Sequence, residues 1–319
     1  MRTLDAYDLL FKAMLGRALS DDEREAIQAR YGGNPPADLT AIGHEIARSQ
    51  EFHFRYRESF VYDLFPTSTV VTARGPLGHQ LLVDLRQFHL GFSIANGHFE
   101  GDETAFVMNT VKRGWTVLDV GANIGYFSTI FAALVGNSGR VIAFEPVSDT
   151  FLKLRAAISL NGFDNIIDAR AAAASDAAGH CQIAYGVNSA NMGGVSIAPV
   201  DAATSEGVKE LAATVRIDDA VGRRPVHFIK MDVEGAEGLA LAGAEDVIRQ
   251  NRPILMIEFN PVHLAQVSRL SPLELYDRII AMGYRSSKIG AGGTLNPFMR
   301  NDLDEMTGEF IINLAFHPA

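Results

Sequence analysis

Cysteine is nearly missing from this chain of 319 residues. Cys181 stands alone, which excludes an intrachain disulfide framework and thiolate metal clusters alike. Basic charge is also in short supply: 28 Lys and Arg face 38 Asp and Glu, a formal net charge of −10. That balance argues against a nucleic-acid backbone or an anionic membrane as the main partner. No apolar run approaches the ~18 residues of a membrane span, and the longest candidate, Phe127 to Val135, has half that length. Met1 to Leu15 carries Asp5 and Asp8 without a basic leader, so it does not read as a signal peptide, and a cytoplasmic location is expected. What remains is ordinary globular material, 47% hydrophobic and long enough for about two domains.

Nucleotide signatures are missing as well. No G-x-x-x-x-G-K-[ST] loop is present, and the nine histidines are scattered without H-x-x-x-H spacing, so no metal site is expected. Asp232 and Glu234 are expected on opposite sides of their segment and thus not to share an ion. No G-x-S-x-G elbow occurs. Cys181 reads as an ordinary strand residue, and Trp115 as packing ahead of a strand.

The first sixty residues have a helical pattern. Tyr7, Leu10, Phe11, Met14 and Leu15 keep helical spacing, and Ser20 with Glu23 forms a capping-box pattern ended by Gly32 to Pro36. Leu39, Ile42 and Ile46 continue a third stripe toward Phe52. Val70-Val71 and Leu81 to Val83 flank Gly75-Pro76-Leu77-Gly78, which predicts two strands around a turn. Thereafter strands at Val117–Val120, Val141–Phe144, Phe228–Met231 and Ile254–Ile257 alternate with helices at Tyr126–Val135, Thr150–Leu160 and about Ala236–Gln250. Such alternation predicts an α/β fold with a mostly parallel sheet covered on both faces. Asp201 to Ala213 reads as loop or helix surface, and Asn188 to Ser196 as a loop. The expected division is a helical module at 1–62, a hairpin lead-in at 63–98 and a catalytic domain at 99–319.

Acids close four of the strands: Asp119, Glu145, Asp232 and Glu258. Acids in such places often only begin loops or cap helices. Four together favour a site, because ligands of open α/β sheets sit beyond the carboxyl ends of the strands. Gly121 after the first strand permits a tight turn, yet Asn123 and Tyr126 occupy positions where a dinucleotide fingerprint needs glycine. Glu145 follows at the next strand end, where an acid can bind both ribose hydroxyls. A glycine turn and a ribose acid without phosphate-binding glycines suit adenosine lacking a pyrophosphate.

The string Val117-Leu118-Asp119-Val120-Gly121-Ala122-Asn123-Ile124-Gly125 resembles the first motif of class I S-adenosylmethionine (SAM) methyltransferases. With Phe144-Glu145-Pro146, Ile229 to Glu237 and Ile257-Glu258, the wording is similar to that of the FkbM family from about Val70 to Phe316. This resemblance implies a Rossmann-like sheet, SAM as methyl donor, and O-methylation of a sugar, glycan or polyketide-like hydroxyl. Carried over to this chain, it implies that Asp119, Gly121, Asn123 and Gly125 line the methionine side and that Glu145 holds the ribose. Ser175-Asp176 is implied near adenine, and Glu100 and Thr104 at the methionine end. Asp232 is the first candidate for the base and Glu258 the second, with Lys230 or His263 orienting the acceptor. Met14 to Arg17 and Ser49 to Phe52 resemble the ends of a helical domain of unknown function found beside bacterial surface-polysaccharide enzymes, which implies a small all-helical N-terminal domain for a protein partner or oligomer contact.

Two rivals come from other classes. A dinucleotide-dependent oxidoreductase fails on Asn123 and Tyr126. A non-catalytic interaction subunit has no need of the intact glycine motif and ribose acid. Methylation of nucleic acid lacks its strand-end proline motif and a basic face.

Overall fold

Apolar residues on both faces of four consecutive strands require helices above and below them, and this demand organises the computed structural model. It describes residues 8, 11–12, 18–31, 64–65, 67–185, 196–198, 208–306, 308 and 310–319. The chain divides into two units, Met1–Thr69 and Val70–Ala319.

In the first unit one helix is described at length, α1 (Asp21–Tyr31). Ser20 and Glu23 exchange the reciprocal bonds of a capping box at its start: Ser20 N donates to Glu23 Oε2 at 2.8 Å, and Glu23 N to Ser20 Oγ at 3.3 Å. The other stripes of the N-terminal block lie outside the described residues, apart from Asp8, Phe11 and Lys12, which are helical.

The second unit opens with an antiparallel hairpin, β1 (Val70–Arg74) and β2 (Gln80–Asp84), closed by the turn at Gly75 to Gly78. A π-helical turn, Phe88–Phe92, follows, and then α2 (Gly101–Thr110). The main sheet comprises β3 (Thr116–Val120), β4 (Arg140–Phe144), β5 (Ile167–Arg170), β10 (Phe228–Met231), β11 (Ile254–Phe259), β12 (Tyr284–Gly290), β13 (Thr294–Pro297) and β14 (Ile312–Pro318). Its order is β13-β12-β14-β11-β10-β3-β4-β5, parallel from β11 to β5 and antiparallel where β14 meets its neighbours and β13 meets β12. This is a Rossmann-like sheet. Its topological switch falls between β3 and β10, where the chain turns to β4 on one side and β11 on the other.

Alternation within each strand makes two cores. Val117 and Phe228 face Phe127, Ile130 and Phe131 of α3 (Tyr126–Val135). Leu118, Ile229 and Leu255 face the other layer, with Leu241 of α6 (Glu237–Ala242), Ile248 of α7 (Glu245–Asn251) and Ile279 of α9 (Pro272–Ala281). β10 and α3 have the expected bounds, β3 begins one residue early, and the helix after β4, α4 (Ser148–Leu160), begins two residues early.

Two expectations are corrected. The single helix at 236–250 is two, α6 and α7, because Gly243 packs so closely that a Cβ there would meet the Ser175 carbonyl at 2.0 Å. Within the segment read as loop or helix surface, residues 208–213 begin β9 (Val208–Val215), antiparallel to β7 (Gly179–Tyr185) in a second sheet with β6 (Ala173–Ala174) and β8 (Ser196–Ala198). Strand pairing and the burial of Ala212 against Val147 and Ile183 outweigh an alanine-rich composition. Cys181 is a half-buried residue of β7, and Trp115 stacks on His227 at 5.4 Å. The loop expected from Asn188 lies outside the described residues up to Ser196, which starts β8.

Candidate active site

A cavity of about 320 Å³ opens over the carboxyl ends of β4, β3, β10 and β11. All four strand-end acids line it, together with Glu100 and Glu234, so among the described residues six carboxylates share one space with a single lysine, Lys230. Three strand spacings separate β4 from β11, roughly 14 Å, which gives the cavity a Glu145 side and a Glu258 side.

The turn after β3 is built from left-handed residues. Gly121, Asn123 and Gly125 have φ of 86°, 49° and 93°. A Cβ on Gly121 would fall 1.8 Å from the Asp232 carbonyl, so at this position only glycine lets the ends of β3 and β10 approach. Asn123 steadies its own conformation by accepting from Ile124 N at 2.8 Å. Gly121, Ala122, Asn123 and Ile124 line the cavity. Gly125 stands behind them, where a Cβ would strike Leu154 of α4 at 2.8 Å.

Asp119 is fully buried and projects from the same face of β3 as Val117. Its Oδ2 accepts from Ser128 Oγ, while its Oδ1 is buried with no partner among the described residues. Burial raises its pKa, and Lys230 pulls the other way. Glu145 accepts from Asn123 N at 2.8 Å, from Val147 N at 2.9 Å and from Thr150 Oγ1 at 2.7 Å, and burial pushes its pKa up to about 7. Pro146, Val147, Ala173 and Ala174 complete that side. Ser175 and Asp176 do not line the cavity: Asp176 is exposed, and Ser175 Oγ donates to its carboxylate at 3.1 Å.

Glu100 caps α2 in a left-handed conformation, φ 42°, and faces the cavity. Burial drives its pKa to about 8 against the pull of Lys230. Thr104 stands one layer back, its hydroxyl 3.1 Å from that of Tyr126, which does line the cavity.

Lys230 is cross-strand neighbour to Asp119 and only 4% exposed. Its ammonium donates to Asp232 Oδ2 at 2.8 Å and lies 4.9 Å from the Phe127 ring centroid. Burial alone lowers a lysine pKa, but here Asp232, Glu100 and Asp119 more than offset it and hold the pKa above the usual value. The Glu258 pKa also rises, driven well above the carboxylate range by burial and by Asp232 and Glu234, which favours its neutral form.

Asp232 and Glu234 share the cavity instead of facing apart: the chain leaves the extended conformation after β10 and turns at Glu234, whose φ is 51°. Sequence reading also missed Glu234 as a site residue, with Tyr126, Phe127, His89, Asn260 and Ile311. The I-K-M-D-V-E-G-A-E string contains Glu234, and its even spacing from Lys230 and Asp232 was the available signal.

A family model described as the methyltransferase FkbM domain matches residues 119–286. Among curated proteins, protein-L-isoaspartate O-methyltransferase 2 of Archaeoglobus fulgidus is 36% identical over 56 residues, 18% of this chain and 26% of that protein. The match therefore spans about a quarter of that relative. Among solved structures, a methyltransferase FkbM from Methylobacillus flagellatus aligns at 17% identity and a TM-score of 0.42, covering 97% of this chain and 58% of that one. An O-methyltransferase from Bacillus cereus, in complex with SAH, aligns at 14% identity and a TM-score of 0.39, covering 68% of this chain and 80% of that one.

Proposed function

Since this chain belongs to the FkbM methyltransferase family, with SAM as methyl donor, we propose that it methylates a hydroxyl oxygen of a sugar, glycan or polyketide-like acceptor. The observation that carries this reading is the cavity in which, among the described residues, Lys230 is the one lysine facing six carboxylates and a buried oxygen of Asp119 has no partner. Such a space fits a ligand bearing a sulfonium and an ammonium group at one end and a ribose diol at the other. When bound, SAM supplies an activated methyl group on a good leaving sulfur.

The residues divide the remaining work. Glu145, already fixed by two backbone N–H groups and Thr150, takes the ribose hydroxyls. Asp119, Glu100 and Asp232 set a negative potential at the methionine end. Asp232 is better suited to that than to taking a proton, because Lys230 already occupies one of its oxygens. Glu258, kept toward its neutral form, presents an O–H to the acceptor. Gly121 to Ile124 and Tyr126 wall the cavity and hold the reactants at near-attack distance, where much of the acceleration arises.

The test is incubation of the full chain with methyl-labelled SAM and matched acceptors, polyols and methyl glycosides against amino sugars and nucleic acid. Methyl ethers are the expected product. Transfer to nitrogen alone, or no SAM binding by calorimetry, overturns the reading.

A further inference from the structure

We propose that His263 is the catalytic proton acceptor for the hydroxyl being methylated, and that Glu234 is the positioning residue that holds its ring in the required tautomer; the proposal rests on the O-methyl-transfer reading above. Both residues line the cavity on its Glu258 side. Glu234 Oε2 lies 2.7 Å from His263 Nδ1.

The pair is built into the backbone. His263 sits in the first turn of α8 (Pro261–Val267), capped by Asn260, whose Oδ1 accepts from Val262 N and His263 N at 3.2 Å. Glu234 is held left-handed, φ 51°, a conformation that costs a non-glycine residue about 1 kcal/mol or more and persists only where the surroundings impose it. They do so here. Glu237 accepts from Val233 N at 2.9 Å and from Gly235 N at 3.3 Å. Ser268 accepts from Gly238 N at 3.2 Å and donates to the Gly235 carbonyl. Gly235 itself packs so tightly on α8 that a Cβ would stand 2.2 Å from the His263 carbonyl.

Nδ1 has two neighbours, and they ask different things of it. With Asn260 Oδ1 committed to the helix cap, its Nδ2 faces Nδ1 at 3.1 Å as a donor. Glu234 at 2.7 Å requires a proton on Nδ1. One nitrogen cannot satisfy both, and the shorter charge-assisted contact prevails. The proton is then on Nδ1, and the lone pair is on Nε2, which has no hydrogen-bond partner among the described residues. Asp232 is tied to Lys230, and Glu258 is pushed toward a form that already carries its proton. That leaves Nε2 as the open proton acceptor on this side.

The step balances. As the acceptor oxygen bonds to the methyl carbon, its proton passes to Nε2 and the S–C electron pair stays on sulfur. The products are a methyl ether, a neutral thioether and an imidazolium that Glu234 stabilises. The charged groups around the ring are Glu234 and Glu237 from the segment after β10, Asp232 and Lys230 at the end of β10, and Glu258 on β11. The bond to Glu234 raises the histidine pKa above 6.5, so turnover should climb with pH through a value above that.

The first test needs no acceptor. Long-range proton–nitrogen correlation spectra of the full chain without SAM should show neutral His263 protonated at Nδ1 and bare at Nε2. Glu234→Gln should lower its titration midpoint by about half a unit or more. The second test uses labelled SAM with a pool of methyl glycosides. His263→Ala and His263→Gln should each cut turnover at least ~100-fold, the scale of general-base catalysis, while calorimetric SAM affinity stays within about threefold. A proton found on Nε2 or on Glu234, a midpoint unmoved by Glu234→Gln, or wild-type turnover in both histidine variants each overturns the proposal. Failure of the wild-type chain to methylate any hydroxyl counts against the parent reading instead, and the spectra still decide the state of His263.

Discussion

The Lys230 ammonium and the Asp232 carboxylate meet at 2.8 Å on one side of the chain at the end of β10, and the lysine is all but sealed from solvent. An ion pair so placed is a fixed dipole whose negative end faces the cavity. If Asp232 opposes the cationic end of the methyl donor, Asp232→Asn lowers SAM affinity and turnover by similar factors, because the charged contact is lost in ground and transition states alike. Calorimetry and single-turnover rates on the same variant check this. A fall in turnover of ~100-fold at constant affinity returns Asp232 to the role of base.

Glu145 is tied into the wall by three bonds, which changes how it should be tested. Glu145→Ala would strip partners from Asn123 N, Val147 N and Thr150, so it would disturb the fold as well as ribose binding. Glu145→Gln keeps the shape. Loss of the charge-assisted bonds is expected to weaken SAM binding by roughly 1.5–3 kcal/mol. Because both carboxylate oxygens accept and an amide has one acceptor, one donor is left facing NH2 and the melting temperature falls as well, though less than in Glu145→Ala. Equal affinity in the variant would falsify the ribose assignment.

Proton release should accompany cofactor binding. Burial pushes the Glu100 pKa up to about 8 and that of Glu145 to about 7. A cation beside Glu100 favours its ionised form, so SAM affinity should rise with pH up to about 8 and level off above. Binding enthalpies at pH 7.5 (inside that window) should differ between buffers of different ionisation enthalpy; buffer-independent heats would remove the linkage. Stability of the unliganded chain runs the opposite way. Raised carboxyl pKa values, including about 7 for Glu237, favour the fold most below the ordinary value of 4.5. That contribution is lost as pH climbs through 7 to 8. Thermal melts from pH 5 to 8.5 read it directly.

A chain beginning at Tyr62 should bind SAM as the full chain does, because the described residues that line the cavity run from 89 to 311 and the hairpin that starts at Val70 is retained. The hairpin must stay: Gln80 and Asn161 exchange two bonds that fasten β2 to the end of α4. Insolubility of the shortened chain would make the first unit part of the main core.

The sequence made the sheet legible because its parallel strands are short, apolar but for Asp119 and Lys230, and bounded by glycine or acid, as at Val117–Val120 and Phe228–Met231. It made the cavity legible for a related reason: the same positions that end strands must sit over the switch between β3 and β10. β9 was hidden because alanine says little about strand, and its pairing with β7 is a tertiary fact. Gly243 was hidden because a close approach between distant backbones has no local signature. The Glu234–His263 pair joins residues 29 apart, and no periodicity links them; only the packing of Gly235 on α8 brings them together.

The missing side chain at Gly121 has one further consequence. With the Asp232 carbonyl filling the place a Cβ would take, the cofactor turn and the 232–238 segment are one continuous wall. A substitution that widens one narrows or displaces the other. Diversification toward a different acceptor is thereby steered to positions that share no backbone contact with that wall, such as His89 on the π-turn and Ile311 ahead of β14. An engineer wishing to change what is methylated, and not whether methylation occurs, has those two as the places to begin.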